Sequence, residues 1–211
     1  MRIIAIDGPA GSGKSTVARA LADRLGLDYL DTGAMYRSVT FAALRRGIDP
    51  AEADQVARMV SSLELDVRAE GVTVDGVDAS IEIRGPEVSR AVSIVAANPA
   101  VRAEMRRRQR EWAVVHDGGV LEGRDIGTVV FPDADLKVYL TADPEVRAQR
   151  RSQEVTDLDY ETVAADLVRR DALDHTVTPL VGAPDAFVVD TTGLTVDEII
   201  EVITSEVDAG G

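Results

Sequence analysis

The stretch Gly8-Pro9-Ala10-Gly11-Ser12-Gly13-Lys14-Ser15 constrains this chain most, because it has the spacing G-x-x-x-x-G-K-S. It follows a short apolar run, Arg2 to Ile6, without a gap. It leads into a helical pattern from Lys14 to Leu25, with Val17, Leu21 and Leu25 on one stripe and Gly26 as the C-cap. Strand, glycine loop and helix in that order form the setting in which this motif binds phosphate. Glycines let successive backbone N–H groups converge on an anion without Cβ clashes. The helix N-terminus adds unpaired donors and a partial positive charge. Lys14 is placed to reach β- and γ-phosphates, and the Ser15 hydroxyl is a ligand for Mg²⁺.

The rest of the chain repeats the strand-then-helix rhythm. Asp28 to Leu30 reads as a second strand. Asp31-Thr32-Gly33-Ala34-Met35-Tyr36-Arg37 then opens a helix to about Arg46, capped by Asp31 or Thr32 and ended by Gly47. Ala51 to Leu63 is helical in pattern. The period then switches to two at Leu65, Val67, Val72, Val74 and Val77, punctuated by Glu70-Gly71 and Asp75-Gly76, which predicts a small antiparallel sheet over 64–83. Pro86 and Pro99 suit the first turns of helices over 86–97 and 99–115. Further strands are expected at Gly119 to Glu122, Leu136 to Leu140 and Ala186 to Val189, and helices from Asp143-Pro144, over Tyr160 to Leu173, and after the capping box Thr195-Val196-Asp197-Glu198. Ser152 to Asp159 is polar and aperiodic, a loop, and the Gly-Gly end is expected to fray. Five strands alternating with helices predict a parallel sheet with an inserted antiparallel one.

Composition narrows the function. No apolar run approaches the length of a membrane span, the first residues lack a signal-peptide layout, and there is no cysteine, so a cytoplasmic protein without disulfides or thiolate metal sites is expected. The net charge of −14 argues against nucleic-acid and anionic-membrane surfaces. A phosphorylated substrate would therefore need locally placed cations. Of the 23 basic residues only Lys14 and Lys137 are lysine, leaving 21 arginines, the better bidentate phosphate ligands. Arg37, Arg102, Arg124, Arg150, Arg151, Arg169 and Arg170 fall at loop and helix positions about one sheet edge. The GTPase signature N-K-x-D is absent, since neither lysine follows an asparagine. Phosphoryl transfer between two anions fits, because it runs on positioning and electrostatic stabilisation and needs no general-base triad.

The chain resembles the bacterial cytidylate kinases over nearly its whole length. The matching stretches are IDGPAGSGKST (Ile6 to Thr16), LDTGAMYR (Leu30 to Arg37), SIVAANPAVR (Ser93 to Arg102), EGRDIGTVVFPDA (Glu122 to Ala134) and RRDALD (Arg169 to Asp174). The resemblance implies a three-layer P-loop kinase fold in one domain, with a core of residues 1–60 and 116–211, a monophosphate-binding insertion at 61–115 and a short lid at 150–160. It implies phosphorylation of CMP and dCMP by Mg-ATP in pyrimidine nucleotide metabolism. Gly8, Pro9, Ala10, Gly11, Ser12, Gly13, Lys14, Ser15 and Thr16 would hold ATP. Thr32, Tyr36 and Ser93 would line the acceptor site, with Thr32 and Ser93 near the cytosine. Arg37, Arg102 and Arg124 would grip the CMP phosphate, Asp125 would accept from the cytosine 4-amino group, and Arg170 and Asp174 would approach the ribose. Lys14, Arg124, Arg150 and Arg151 would act on the transferring phosphoryl group.

Two departures stand out. Many relatives carry a further arginine shortly after the aspartate matching Asp174, where this chain reads Asp174-His175-Thr176-Val177-Thr178-Pro179-Leu180, and the segment between Arg151 and Tyr160 is shorter. Competing readings are a kinase for another small acceptor, such as UMP, AMP or shikimate, and a nucleotide-sensing module without turnover. Arg106, Arg107 and Arg108 are expected to form a solvated helix face, Trp112 to join a core stripe with Val101 and Met105, and His116 and His175 to lie on the surface. A monomer is expected.

Overall fold

The computed structural model describes residues 1–154, 159–177 and 181–209. In chain order its elements are β1 (Arg2–Asp7), α1 (Lys14–Leu25), β2 (Tyr29–Asp31), α2 (Thr32–Arg45), α3 (Ala53–Ser61), β3 (Leu65–Val67), β4 (Val72–Val74), β5 (Val77–Asp78), α4 (Pro86–Ala97), α5 (Pro99–Val115), β6 (Gly118–Gly123), β7 (Leu136–Thr141), α6 (Pro144–Glu154), α7 (Tyr160–Val177), β8 (Phe187–Asp190) and α8 (Val196–Ala209). They form an α/β fold with a five-stranded sheet in the order β2-β6-β1-β7-β8 and a three-stranded sheet in the order β3-β4-β5. The pairs β1–β6, β1–β7 and β7–β8 are parallel. Two compact units divide the chain: Met1–Tyr29 with His116–Gly211, and Leu30–Val115.

The first unit is built on strands buried on both faces, β1 from Ile3 to Asp7 and β6 from Gly118 to Glu122. Ile4 and Ile6 of β1, Val120 of β6, and Val138 and Leu140 of β7 are buried in one cluster with Val17 and Leu21 of α1 and Ile199 and Ile203 of α8. With β1 central and its neighbours parallel, the strands deliver their C-terminal ends side by side. Asp7, Gly123 and Tyr139 lie in register there, which is where open parallel sheets bind ligands.

The second unit carries the antiparallel sheet. Val74 pairs with Val77 across a two-residue turn, and Asp75 and Gly76 both have positive φ, 49° and 74°. That is the primed turn the Asp-Gly pair favours. Helix α2 packs on α4, and α4 on α5. The first turn of α2 is capped by Asp31, whose Oδ1 accepts from the Ala34 amide at 2.8 Å.

Three local expectations need correction. Helix α6 continues through Glu154, so Ser152 to Glu154 belong to a helix and not to a loop. Arginine, glutamine and glutamate are good helix formers, so a polar run here stays helical, and Ser152 donates its hydroxyl to the Gln149 carbonyl at 2.8 Å. Helix α7 likewise passes Leu173 to reach Val177, with Thr176 donating to Leu173 O at 2.7 Å. Residues 155–158, which fall in the expected 152–159 loop and 150–160 lid, lie outside the described residues, as do 178–180 and the Gly-Gly end. The third correction is Arg108. It is half-buried, and its guanidinium donates to Leu63 O at 2.8 Å and Val60 O at 3.1 Å, capping the C-terminal end of α3 while pairing with Glu104 at 2.6 Å. Arg107 is exposed and pairs with Glu104 and Glu111, as a solvated face should.

The C-terminal helix opens with a reciprocal capping box. The Glu198 carboxylate accepts from the Thr195 amide at 2.8 Å, and Thr195 Oγ1 accepts from the Glu198 amide at 3.3 Å. Thr195→Ala is expected to cost about 1 kcal/mol and to lower the melting temperature by about 2–4 °C. Calorimetric melting checks this, with nucleotide affinities unchanged.

Candidate active site

The loop between β1 and α1 is held by the unit around it. Gly8 has φ 151°, and a Cβ there would lie 2.1 Å from Leu140 O, so only glycine lets the loop pass the end of β7. Asp7, the last residue of β1, is buried and accepts from the Ile126 and Gly127 amides, both at 2.8 Å. Burial pushes its carboxyl up to about 6 against the pull of those two amides. The amides belong to a single π-type turn, Ile126–Val130, which begins directly after Asp125. Asp125 itself is buried.

Lys14 opens α1 and donates to Pro9 O at 2.7 Å. Burial lowers its pKa to about 7, helped by the neighbouring Arg124 and Arg170 and opposed by Glu122 and Asp7. A lysine whose charge is disfavoured first by burial and then by neighbouring cations gains from added negative charge. Ser15 donates to the buried Glu122 at 3.0 Å, and Glu122 also accepts from the Tyr29 hydroxyl. Ser12 is fully buried, and its Oγ makes no hydrogen bond.

Arginines close the unit's side of the site. Arg124 donates to Gly8 O at 2.7 Å and pairs with Asp174 at 2.8 Å. Arg170 lies 4.0 Å from the same carboxylate, and burial followed by the repulsion of Arg124 lowers its pKa to about 10. Its Nε is buried without a hydrogen bond. Arg150 of α6 donates to Thr191 through both terminal nitrogens, at 2.8 Å each. Arg151 is half-buried. The structure thus gathers Lys14, Arg124, Arg170 and Asp174, with Arg150 nearby on α6.

The remaining expected residues stand in the second unit. Thr32 and Arg37 are buried on α2, with Tyr36 half-buried between them; Ser93 is buried on α4 and Arg102 half-buried on α5. Arg37 donates to Ile83 O at 3.1 Å and to Ser89 Oγ at 2.9 Å. Sequence reasoning missed Asp7, Glu122, Arg147, Asp171 and Thr191. The signal available for the first two was their place, at the C-terminal ends of β1 and β6.

A glycine loop closing on a half-buried lysine, at the strand ends of a parallel sheet and ringed by arginines, defines a P-loop phosphotransferase. The fold is shared with proteins of known structure. A sugar kinase from Janibacter sp. HTCC2649 superposes with a TM-score of 0.53 at 16% identity, covering 99% of this chain and 95% of that one. The cytidylate kinase family model matches residues 4–209. The cytidylate kinase of Mycobacterium avium (strain 104) is 50% identical over 94% of this chain and 92% of its own length. That of Pelotomaculum thermopropionicum is 48% identical over 98% and 96%. The chain belongs to the cytidylate kinase family and is a nucleoside-monophosphate kinase. Among the described residues no helix is long and apolar enough to cross a membrane.

The lysine sets a pH dependence. In the free protein Lys14 loses its proton as pH rises through about 7, whereas beside bound phosphates the charged form is favoured. The bound state therefore holds more protons than the free state above that pH. Binding of Mg-ATP at about pH 8 is expected to take up a proton, read as a dependence of calorimetric heat on the ionisation enthalpy of the buffer. Lys14→Met should abolish the uptake.

Proposed function

We infer that the chain transfers the γ-phosphoryl group of ATP to CMP, giving ADP and CDP, and that dCMP is a second acceptor. Membership of the cytidylate kinase family across residues 4–209 carries this reading. In the transfer an oxygen of the CMP phosphate forms a bond to the γ-phosphorus as the bond to the ADP β-phosphate oxygen breaks. The acceptor is already an anion near neutral pH, so no side chain need remove a proton. What the reaction needs is cations and donors placed where charge spreads in the transition state.

Each expected role has a residue suited to it. Gly8 to Thr16 are assigned to the ATP phosphates, where the unpaired buried Ser12 hydroxyl and the depressed Lys14 both favour an anion. The Ser15 hydroxyl, beside the Glu122 carboxylate, supplies oxygen chemistry of the kind Mg²⁺ takes. When bound with ATP, that ion neutralises charge on the β- and γ-phosphates. Arg124, Arg150 and Arg151 are assigned with Lys14 to the transferring group. Arg37 and Arg102, with Arg124, are assigned to the acceptor phosphate, Thr32, Tyr36, Ser93 and Asp125 to the base and its surroundings, and Arg170 and Asp174 to the ribose. Residues 61–115 are proposed as the monophosphate-binding insertion and 150–160 as the lid. A cytoplasmic monomer completes the proposal.

Asp125 is assigned the discrimination. A buried carboxylate accepts a hydrogen bond from the cytosine 4-amino group, whereas the uracil carbonyl offers only a second acceptor. Wild type is expected to phosphorylate CMP and dCMP well ahead of UMP and AMP. Asp125→Ala should cut the CMP-over-UMP ratio of kcat/KM by about tenfold or more. ADP release with each acceptor alone tests both. UMP turned over as fast as CMP by the wild type would sink the assignment of Asp125 and of the acceptor together. ATP and CMP binding without turnover would favour a nucleotide sensor.

A further inference from the structure

The phosphate loop is tied from outside by residues that its motif does not contain. Arg147 of α6 donates from Nη1 to Ala10 O at 3.0 Å and to Asp171 Oδ2 of α7 at 2.6 Å. Thr191, fully buried just after β8, accepts from Arg150 Nη1 at 2.8 Å. It shares its one hydroxyl hydrogen between Ser12 O at 3.2 Å and Thr141 O at 3.0 Å. Helix α6 also approaches the loop closely, since a Cβ on Gly11 would lie 2.7 Å from Arg147 O.

Peptide planarity turns these ties into an effect on phosphate binding. In a trans peptide the N–H of the next residue points opposite to the carbonyl, and the described residues contain no cis peptide. Holding Ala10 O therefore aims the Gly11 N–H away from the Arg147 guanidinium. Holding Ser12 O aims the Gly13 N–H away from Thr191. These are the amides that a glycine loop offers to phosphate.

The Arg147–Asp171 pair bears a mark of this task. Arginine and carboxylate left to themselves favour two parallel hydrogen bonds. Here Arg147 Nε and Asp171 Oδ1 are buried and unpaired, while a single nitrogen serves both the carboxylate and the loop carbonyl. The pair gives up its second bond to reach Ala10 O.

We propose that Arg147, held by Asp171, and Thr191, which also seats Arg150, are positioning residues that preset the phosphate loop for ATP. This rests on the reading of the chain as an ATP-dependent kinase. Neither residue contacts the acceptor in this account, so their loss should fall on ATP alone.

The test compares Thr191→Val, close in shape but without the hydroxyl, with Thr191→Ser, which keeps it. Calorimetric Kd for Mg-ATP and KM for ATP and CMP are measured on each folded variant. Thr191→Val should weaken ATP by about tenfold while KM for CMP stays within about twofold, and Thr191→Ser should stay near wild type. Unchanged ATP affinity in Thr191→Val, equal rises for ATP and CMP, or a serine variant as poor as valine would overturn the proposal. Should Thr191→Val fail to fold, Asp171→Asn takes its place, with the same selective loss expected and unchanged ATP affinity contradicting it. ATP calorimetry needs no acceptor, so it decides the positioning role even if the wild type proves not to phosphorylate CMP.

Discussion

The carbonyl groups of the phosphate loop must be held for its amides to be free, and the rest of the first unit is arranged around that requirement. Gly8 O is taken by Arg124, Pro9 O by Lys14, Ala10 O by Arg147 and Ser12 O by Thr191. Three of the four donors are cations. A loop that turns its carbonyl oxygens onto positive side chains presents its N–H groups on the other side, and those same cations raise the potential at the place an anion would occupy. A helix and two strand ends supply donors from outside the loop: α6 brings Arg147, β6 ends in the Gly123-Arg124 corner, and the residue after β8 is Thr191.

Charge balance explains how a folded chain holds so many cations together. A chain of net charge −14 surrounds its cations with carboxylates. Asp174 pairs with Arg124, Asp171 with Arg147, and Glu122 and Asp7 act on Lys14. The neutralisation is incomplete, as the depressed Lys14 and Arg170 record. Burial is the larger cause for both, and a bound polyphosphate relieves what remains by adding opposite charge. The acidic surface and the basic site are thus compatible, and the site's affinity for anions is local.

Sequence reading reached what is local in the chain. The loop, the caps at Asp31 and Thr195, the Asp75-Gly76 turn and the prolines opening α4 and α5 each depend on a few neighbouring residues, and each formed as their chemistry dictates. Arg147, Asp171 and Thr191 gave no such signal. They are ordinary residue types whose partners lie far along the chain, Ala10 for Arg147 and Ser12 for Thr191. Arg108 misled for the same reason: its two neighbours in sequence suggest a charged surface, whereas its partners are carbonyls at the end of α3. The polar run after Arg151 was misjudged because periodicity weighs apolar residues, and this helix carries few in its last turns.

The direct measurement is the fate of a labelled phosphoryl group. ATP labelled at the γ-position is mixed with CMP, Mg²⁺ and the protein, and the products are separated. If the chain is a phosphotransferase built around a preset loop, the label appears in the β-phosphate of CDP in step with ADP release. Label recovered as inorganic phosphate, with CMP unchanged, would contradict the account, because it would mean that water and not the nucleotide takes the phosphoryl group.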